Sequence, residues 1–268
     1  MSDAPDIAGI VTRVLTALDD GQPIAPITAG EPGFGLDAAY AVAADIRARR
    51  ETRGERAIGR KIGFTNANIW DEYGVHDPMW GYMYDTSVRE IETLGDTPLD
   101  LAPFQEPQIE PEIALGLGRA PEPDMDEQAL FGCIEWIAHG CEIVQSPFPG
   151  WRFAAADTAT FGLHGAYLIG PRIAATPDML TALPALAVSL QRDGETIDTG
   201  VGSNALGGPV SALRHLVGVL ASDRHNPPLA AGDLVTTGTL TRAFPVAPGE
   251  NWRTVIGGLP LPGVAITF

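Results

Sequence analysis

The sequence predicts an α+β protein in which a β-rich core follows an N-terminal helical cap. Apolar residues recur at helical spacing as far as about residue 52, whereas from Ile58 the chain changes to short apolar runs broken by Gly and Pro. With 268 residues the chain can bury a full core, and it shows no internal repeat or linker. We therefore divide it into a helical cap, residues 1–55, and a β-rich domain, residues 56–268.

The cap contains two predicted helices. Apolar residues between Ile7 and Leu18 follow a 3.6-residue period, and Gly21 with Pro23 ends the helix. A loop rich in Pro and Gly separates it from a second helix, residues 36–52, which is rich in Ala and Arg.

The β-rich domain is predicted to contain both element types. Apolar stripes at helical spacing predict helices at residues 126–139 and 211–220. Short apolar runs bounded by turn residues predict strands at residues 166–169, 187–190, 233–237 and 263–268. Residues 70–84, which precede these elements, are rich in aromatic residues, Gly and Pro. They indicate an ordered loop or lid over a pocket, or else a packed turn between strands.

Charge and hydropathy exclude several classes of partner. The chain carries 17 Lys and Arg against 34 Asp and Glu, which gives a formal net charge of -17. Nucleic acids and anionic membranes both require a basic face, so neither is an expected partner. No apolar run is long enough to span a bilayer, and the first residues lack the pattern of a signal peptide, so we expect a cytoplasmic protein.

The two cysteines are predicted to be free. Cys133 and Cys141 lie eight residues apart, on and just after the predicted helix at 126–139. In a helix this separation corresponds to about 12 Å of rise, which is too far for a disulfide. Burial as apolar residues in a reducing compartment fits this spacing.

Three glutamates are the strongest candidates for chemistry. Glu110 and Glu112 precede an apolar run, and residues two apart on a strand project from the same face. Paired carboxylates near a core are costly unless a cation joins them. Glu142 begins a second apolar run, and three carboxylates suit Mg²⁺ or Mn²⁺. The alternative is a solvated acidic strand end.

Other candidates carry weaker signals. Lys61, between Gly59 and Gly63, could face a cavity as acid, base or cation, or could be a surface lysine beside Arg60. His164 lies between glycines that permit close approach of a ligand, although a lone His is more often structural. His139 is predicted to stabilise a helix C-terminus.

Polar residues later in the chain could contribute to the pocket. Asp157 could cap a turn or join a hydrogen-bond network, and the run 236–240 could hold a carboxylate through its hydroxyl and N–H groups or form a turn. Gly116 and Gly118 lack the strand-turn-helix context of a dinucleotide site. The sequence shows no phosphate-binding loop, nucleophile elbow or zinc-type cluster of Cys and His.

Six ordered motifs resemble a known family. They cover residues 58–65, 109–114, 142–146, 151–158, 204–209 and 231–238. Together they resemble the 2-keto-4-pentenoate hydratase and 4-oxalocrotonate decarboxylase group of the fumarylacetoacetate hydrolase superfamily, over nearly the whole chain. The resemblance implies a β-rich, fumarylacetoacetate-hydrolase-like core (β-roll) in a homo-oligomer that acts on a small 2-oxo acid.

The resemblance also implies roles for individual residues. Glu110, Glu112 and Glu142 would hold Mg²⁺ or Mn²⁺. The lysine of the motif, Lys61, would lie in the active site. We assign Lys61 to proton transfer or to binding the substrate carboxylate, and His164, which this chain has in addition to the family pattern, to a helping catalytic role. In relatives the segment at residues 232–238 lies near the pocket and could bind a substrate carboxylate. We expect the substrate-binding residues to be Arg60, Asp157, Thr237 and Thr239.

Departures from the family pattern leave the reaction open. Relatives read Gly-Leu-Thr-Ser where this chain has residues 63–66, Gly-Phe-Thr-Asn, and His76 and Met79 stand where acids are expected. Two serines of relatives are absent from residues 157–162. We expect a hydratase that converts a 2-hydroxy-2,4-dienoate into a 4-hydroxy-2-oxo acid. The alternatives are a 2-oxo-acid decarboxylase, an acylpyruvate C–C hydrolase using His76 or His164, and a non-catalytic partner subunit.

Overall fold

The computed structural model describes residues 4–95 and 97–268. Within these residues the helices are α1 Ile7–Asp20, α2 Ile27–Gly30, α3 Leu36–Thr52, α4 Trp70–Tyr73, α5 Ile91–Leu94, α6 Glu127–Phe131, α7 Ala155–Ala159, α8 Met179–Ala182 and α9 Pro209–Ser222. The strands are β1 Ala57–Gly63, β2 Met79–Tyr84, β3 Val88–Glu90, β4 Gln108–Leu117, β5 Ile134–Val144, β6 His164–Ile169, β7 Ile173–Ala174, β8 Ala187–Arg192, β9 Glu195–Val201, β10 Leu234–Thr236, β11 Phe244–Pro245, β12 Asn251–Gly257 and β13 Ala265–Thr267. The predicted α+β class is confirmed.

The two long N-terminal helices form where the sequence predicts them. The Asp6 carboxylate accepts a hydrogen bond from the Gly9 N–H and caps the start of α1, while Gly21, at φ +63°, ends it. The apolar faces of α1 and α3 pack in one cluster with Phe148 and Phe161 of the β-rich part. The helices therefore lie against the core.

Two sheets make up the β-rich part. The larger has the order β2-β1-β10-β4-β5-β6-β3, with β11 beside β4 and β7 beside β5, and the smaller has the order β13-β12-β8-β9. Strand β4 separates two environments, since Ile113 and Leu115 pack in a cluster with Leu216 of α9. The alternate residues Glu110 and Glu112 project from the opposite face.

The predicted helix at residues 126–139 is wrong beyond its first turns. Helix α6 stops at Phe131, and β5 then runs from Ile134 to Val144. From Ile137 onward every residue of β5 is buried, so neither face is exposed and the strand lacks the alternation of apolar and polar residues that would have identified it. Cys133 precedes β5 and Cys141 lies inside it; both are free and buried, as predicted, although they do not share a helix.

The segment at residues 70–84 divides into two structures. Its first residues form the single turn α4, and residues 79–84 form β2, which is buried along its whole length. The prediction of a loop or lid is therefore wrong for β2. The other predicted elements overlap α9, β6, β8, β10 and β13. None of the helices in the described residues has the length and apolar character needed to cross a membrane.

Candidate active site

The three predicted glutamates converge on neighbouring strands. Strands β4 and β5 are antiparallel, with Glu110 opposite Glu142 and Glu112 opposite Gly140. One carboxylate oxygen from each glutamate lies within 4.8 Å of the others. Glu112 and Glu142 are fully buried and Glu110 is 8% exposed, so the solvated strand end is excluded.

The electrostatics of this cluster favour a bound cation. Burial raises the pKa of Glu110 to about 7, with Lys61 opposing the rise and Glu142 adding to it. Burial, and then the charges of Glu142 and Glu110, raise the pKa of Glu112 well above its usual range. The buried Glu112 Oε1 accepts no hydrogen bond. A cation among these oxygens would offset the repulsion and the burial cost, and an all-carboxylate donor set fits Mg²⁺ or Mn²⁺.

Lys61 is the buried cation of the site. It lies in β1, 2% exposed, and its Nζ is 3.1 Å from Glu142 Oε2 and donates to the carbonyl oxygen of Gly162 at 3.0 Å. Burial acts to lower the pKa of Lys61, but the charges of the three glutamates outweigh it and raise the pKa. The alternative of a surface lysine is therefore wrong.

His164 contacts the opposite oxygen of Glu142. Its Nδ1 lies 2.7 Å from Glu142 Oε1, and its Nε2 lies 2.8 Å from Ser87 Oγ. Burial lowers the pKa of His164, which favours the neutral ring. Since an ionised carboxylate only accepts hydrogen bonds, the neutral ring carries its proton on Nδ1 and donates it to Glu142.

His139 supports the site from within β5. Its Nδ1 is 3.0 Å from the carbonyl oxygen of Glu112, and its Nε2 is 2.8 Å from Thr254 Oγ1. Burial lowers the pKa of His139 to about 4. The predicted role at a helix C-terminus is wrong because this position belongs to a strand.

Two predicted substrate-binding residues take positions that suit other roles. Arg60 faces away from Lys61 across β1, since adjacent strand residues alternate, and its guanidinium lies 3.7 Å from the ring centroid of Tyr82. The Asp157 carboxylate accepts hydrogen bonds from Thr28 N (3.0 Å), Thr28 Oγ1 (2.7 Å) and Ala154 N (2.8 Å). Asp157 thus links the helical cap to α7.

The loop after β10 contacts the carboxylates through its backbone. Thr237 Oγ1 donates to the carbonyl oxygen of Ile113 at 3.2 Å, and Thr239 Oγ1 donates to that of Thr241 at 3.0 Å. Between them, the Gly238 N–H donates to Glu112 Oε2 at 3.1 Å. The hydroxyl and N–H groups of this run were predicted to hold a carboxylate or to form a turn, but the pattern did not single out Gly238 or identify Glu112 as the acceptor.

Four half-buried aromatic residues next to the carboxylates were not predicted as a unit. We call Phe64, Tyr73, Trp151 and Phe153 the aromatic patch. Tyr73 Oη donates to Gln108 Oε1 at 3.4 Å, and burial followed by the charge of Glu110 raises the pKa of Tyr73 to about 12. The four residues come from two distant stretches of sequence, so no single motif could have revealed them.

The fold and these residues define an α+β protein with a buried acidic site of the kind that holds a divalent cation. The model of the fumarylacetoacetate (FAA) hydrolase C-terminal family matches residues 84–261. The chain belongs to the fumarylacetoacetate hydrolase family.

Similar proteins include both activities expected from the sequence. The 2-hydroxyhexa-2,4-dienoate hydratase of Comamonas testosteroni is 29% identical over 100% of both chains. The 2-keto-4-pentenoate hydratase of Paraburkholderia xenovorans is 31% identical over 91% of this chain and 88% of its own. Among solved structures, the 4-oxalocrotonate decarboxylase of Pseudomonas putida G7, complexed with magnesium and adipate, superposes with a TM-score of 0.88 at 26% identity, covering 98% of this chain and 97% of its own.

Proposed function

We propose that this protein is a divalent-metal-dependent hydratase that adds water to a 2-hydroxy-2,4-dienoate and yields a 4-hydroxy-2-oxo acid. The observation that carries the proposal is the convergence of three buried carboxylates on Lys61 in a chain similar to hydratases over its full length. Glu110, Glu112 and Glu142 would hold Mg²⁺, or Mn²⁺ in its place. When bound, the cation supplies Lewis-acid stabilisation of negative charge on the C2 oxygen of the substrate.

Lys61 is suited to bind the substrate carboxylate or to move a proton. An ammonium has three N–H groups, and two of those of Lys61 are directed to Glu142 and to the Gly162 carbonyl oxygen. The third remains for the substrate. Formation of the 2-oxo-3-enoate requires a proton at C5 of the dienoate, and addition of water at C4 then gives the 4-hydroxy-2-oxo acid. Lys61 is the proposed proton carrier or carboxylate ligand in these steps.

The other predicted residues support this pair of steps. His164 fixes Glu142 through Nδ1, and its Nε2 faces Ser87, so its proposed contribution is to hold Glu142 in the orientation that binds the cation. Thr237 and Thr239 hold the loop whose Gly238 N–H contacts Glu112. Their proposed role, and that of Arg60 and Asp157, is therefore to support the pocket.

Decarboxylation is the second candidate, favoured by the fold match to 4-oxalocrotonate decarboxylase. Both reactions place negative charge on the C2 oxygen of a 2-oxo acid. In the decarboxylase, the electrons of the bond to CO₂ enter the same conjugated system. The two candidates therefore require the same carboxylates. They differ in whether the pocket adds water to the substrate or releases CO₂ from its far end.

Mass-resolved product analysis separates the candidates. The protein is incubated with 2-hydroxypenta-2,4-dienoate and with 2-oxohex-3-enedioate, each with Mg²⁺ and with a chelator. A metal-dependent gain of one water supports the hydratase, whereas loss of CO₂ supports the decarboxylase. The absence of both reactions, in protein shown by calorimetry to bind Mg²⁺, overturns the proposal.

We also propose that the protein acts as a homo-oligomer in the cytoplasm, with residues 1–55 as a cap on a catalytic unit of residues 56–268. The buried free cysteines suit a reducing compartment. The shared apolar cluster of α1, α3 and Phe148 supports a cap that packs on the catalytic unit. Light scattering of the purified protein measures its oligomeric state, and a monomer would contradict this part of the proposal.

A further inference from the structure

We infer that the aromatic patch binds the hydrocarbon end of the substrate and selects dienoates whose far end is uncharged. The inference rests on the proposed function and narrows its substrate class. It assigns a specificity role to Phe64, Tyr73, Trp151 and Phe153.

Phe153 is the centre of the patch. Its ring centroid lies 6.3 Å from that of Phe64, 6.2 Å from that of Tyr73 and 6.2 Å from that of Trp151. The rings of Phe153 and Tyr73 are stacked with an interplanar angle of 2°. Phe148, which is fully buried, packs edge-on against Phe153, with 6.2 Å between the two ring centroids. The patch is thus a continuous apolar wall fixed to the core.

The wall adjoins the carboxylates. Tyr73 is hydrogen-bonded to Gln108. Gln108, Glu110 and Glu112 are successive second residues of β4, so their side chains share one face of the strand. Phe64 follows Lys61 by three residues at the end of β1. A substrate whose carboxylate and C2 oxygen lie at the glutamates and Lys61 can therefore extend its other end toward the patch.

The exposure of the patch indicates a ligand of apolar chemistry. All four rings are half-buried. Removing the rest of their surface from water would contribute further favourable free energy. Contiguous apolar surface beside a polar site is typical of a ligand-binding pocket. A hydrocarbon chain would remove this surface from water.

The charges around the patch disfavour a second carboxylate on the substrate. Arg242 is paired with Glu72, the neighbour of Tyr73, at 2.6 Å. Arg152 has an extended backbone, so its side chain is directed away from that of Phe153. Glu106 adds negative charge, since its carboxylate accepts from Gly150 N at 3.0 Å and its carbonyl oxygen from Trp151 Nε1 at 3.1 Å. A terminal carboxylate would be desolvated here beside an acid.

Competition between substrates of different length tests the inference. We expect kcat/KM with Mg²⁺ to be about fourfold higher for 2-hydroxyhexa-2,4-dienoate than for 2-hydroxypenta-2,4-dienoate, the gain for one buried methyl group. For 2-oxohex-3-enedioate, kcat/KM for any product should be at least about tenfold lower than for the pentadienoate, because its second carboxylate lacks a partner.

A substitution then assigns the selectivity to the patch. Phe153→Ala should reduce the hexadienoate-to-pentadienoate ratio of kcat/KM to about one. Trp136→Ala is the matched control, because Trp136 is also half-buried but pairs with Gly116, near the opposite end of β4 from the glutamates. It should leave the ratio unchanged. Each ratio is measured within one variant, so a loss of folded protein cancels.

Distinct outcomes overturn the inference and the proposed function. Equal kcat/KM for the two dienoates, or an unchanged ratio in Phe153→Ala, overturns the inference while hydration itself stands. If none of the substrates reacts, the proposed function fails, and binding of the inert analogues 2-oxopentanoate, 2-oxohexanoate and 2-oxoadipate with Mg²⁺ is measured by calorimetry. Tightest binding of 2-oxohexanoate supports the patch, whereas tightest binding of 2-oxoadipate overturns it.

Discussion

Glu142 is held between Lys61 and His164, with one carboxylate oxygen 3.1 Å from Lys61 Nζ and the other 2.7 Å from His164 Nδ1. Strands β1, β5 and β6 bring these three residues together. The pairing lowers the pKa of Glu142 even though burial acts to raise it, whereas Glu110 and Glu112 have raised pKa values. The site therefore favours the ionised form of Glu142 and disfavours the ionised forms of Glu110 and Glu112, whose charges a bound cation would offset.

Replacing Lys61 should separate catalysis from metal binding. Lys61→Met keeps the length of the side chain but removes the charge, so we expect kcat to fall about 100-fold through loss of proton transfer or substrate positioning. Affinity for Mg²⁺ should stay the same or increase, because an ammonium near the glutamates repels a cation. Steady-state kinetics and calorimetry measure the two effects. Equal losses of both would indicate that Lys61 has only a structural role.

His164 should act through the orientation of Glu142. In His164→Ala we expect affinity for Mg²⁺ to fall about tenfold or more, as for other residues that orient a metal ligand. His164→Asn places an amide N–H near the position of Nδ1 and should recover most of that affinity. Metal titration of both variants, with kcat at saturating Mg²⁺, checks this. If His164→Asn bound Mg²⁺ normally but had no activity, His164 would instead transfer a proton.

Gly238 should be needed for both backbone geometry and metal affinity. At φ +91° a Cβ on Gly238 would lie 1.8 Å from Thr65 Oγ1, and the shift would move the N–H away from Glu112. Gly232 is the matched control, because it has φ +92° and no heavy atom within 4 Å of a Cβ. Gly232→Ala should cost about 1 kcal/mol of stability through backbone strain. Gly238→Ala should cost more and also weaken Mg²⁺ binding; equal effects of the two substitutions would refute this.

The stabilising effect of metal should increase with pH. The pKa of Glu110 is raised from 4.5 to about 7 by folding, so the folded state binds more protons than the unfolded state between these values. The metal-free protein should therefore lose stability as pH rises from 4.5 to 7, and Mg²⁺ should remove this loss by binding the ionised form. Thermal unfolding at pH 5 and pH 7.5, in chelator and in Mg²⁺, measures the effect. A larger Mg²⁺-induced rise in Tm at pH 5 would contradict it.

The sequence predicted the elements whose burial is one-sided. Helices α1 and α9 each bury one face, and that periodicity is visible along the chain. Strand β5 is buried on both faces from Ile137 onward, so its apolar run was read as a helix, and His139 was misplaced with it. The alternation of Glu110 and Glu112 required only the strand period, which is why this part of the site could be predicted.

The contacts that complete the site connect residues far apart in sequence. The Gly238 N–H reaches Glu112 across 126 residues, and Phe153 stacks on Tyr73 across 80 residues of chain. Local patterns do not encode such pairs. The opposite directions of Lys61 and Arg60 do follow from the alternation of side chains along β1, which is enough to separate their roles.

The central claim is that turnover requires a metal bound by the three glutamates. The most direct test is the Glu112→Gln variant, measured for Mg²⁺ binding, for stability and for hydration of 2-hydroxypenta-2,4-dienoate. Burial raises the pKa of Glu112, so ionising this carboxyl is costly in the metal-free protein, and a neutral amide avoids that cost. The metal-free variant should therefore be at least as stable as the wild type in chelator. We predict that it binds Mg²⁺ at least about 100-fold more weakly and shows no metal-dependent gain of water. Full metal-dependent hydration by a Glu112→Gln variant would contradict the account.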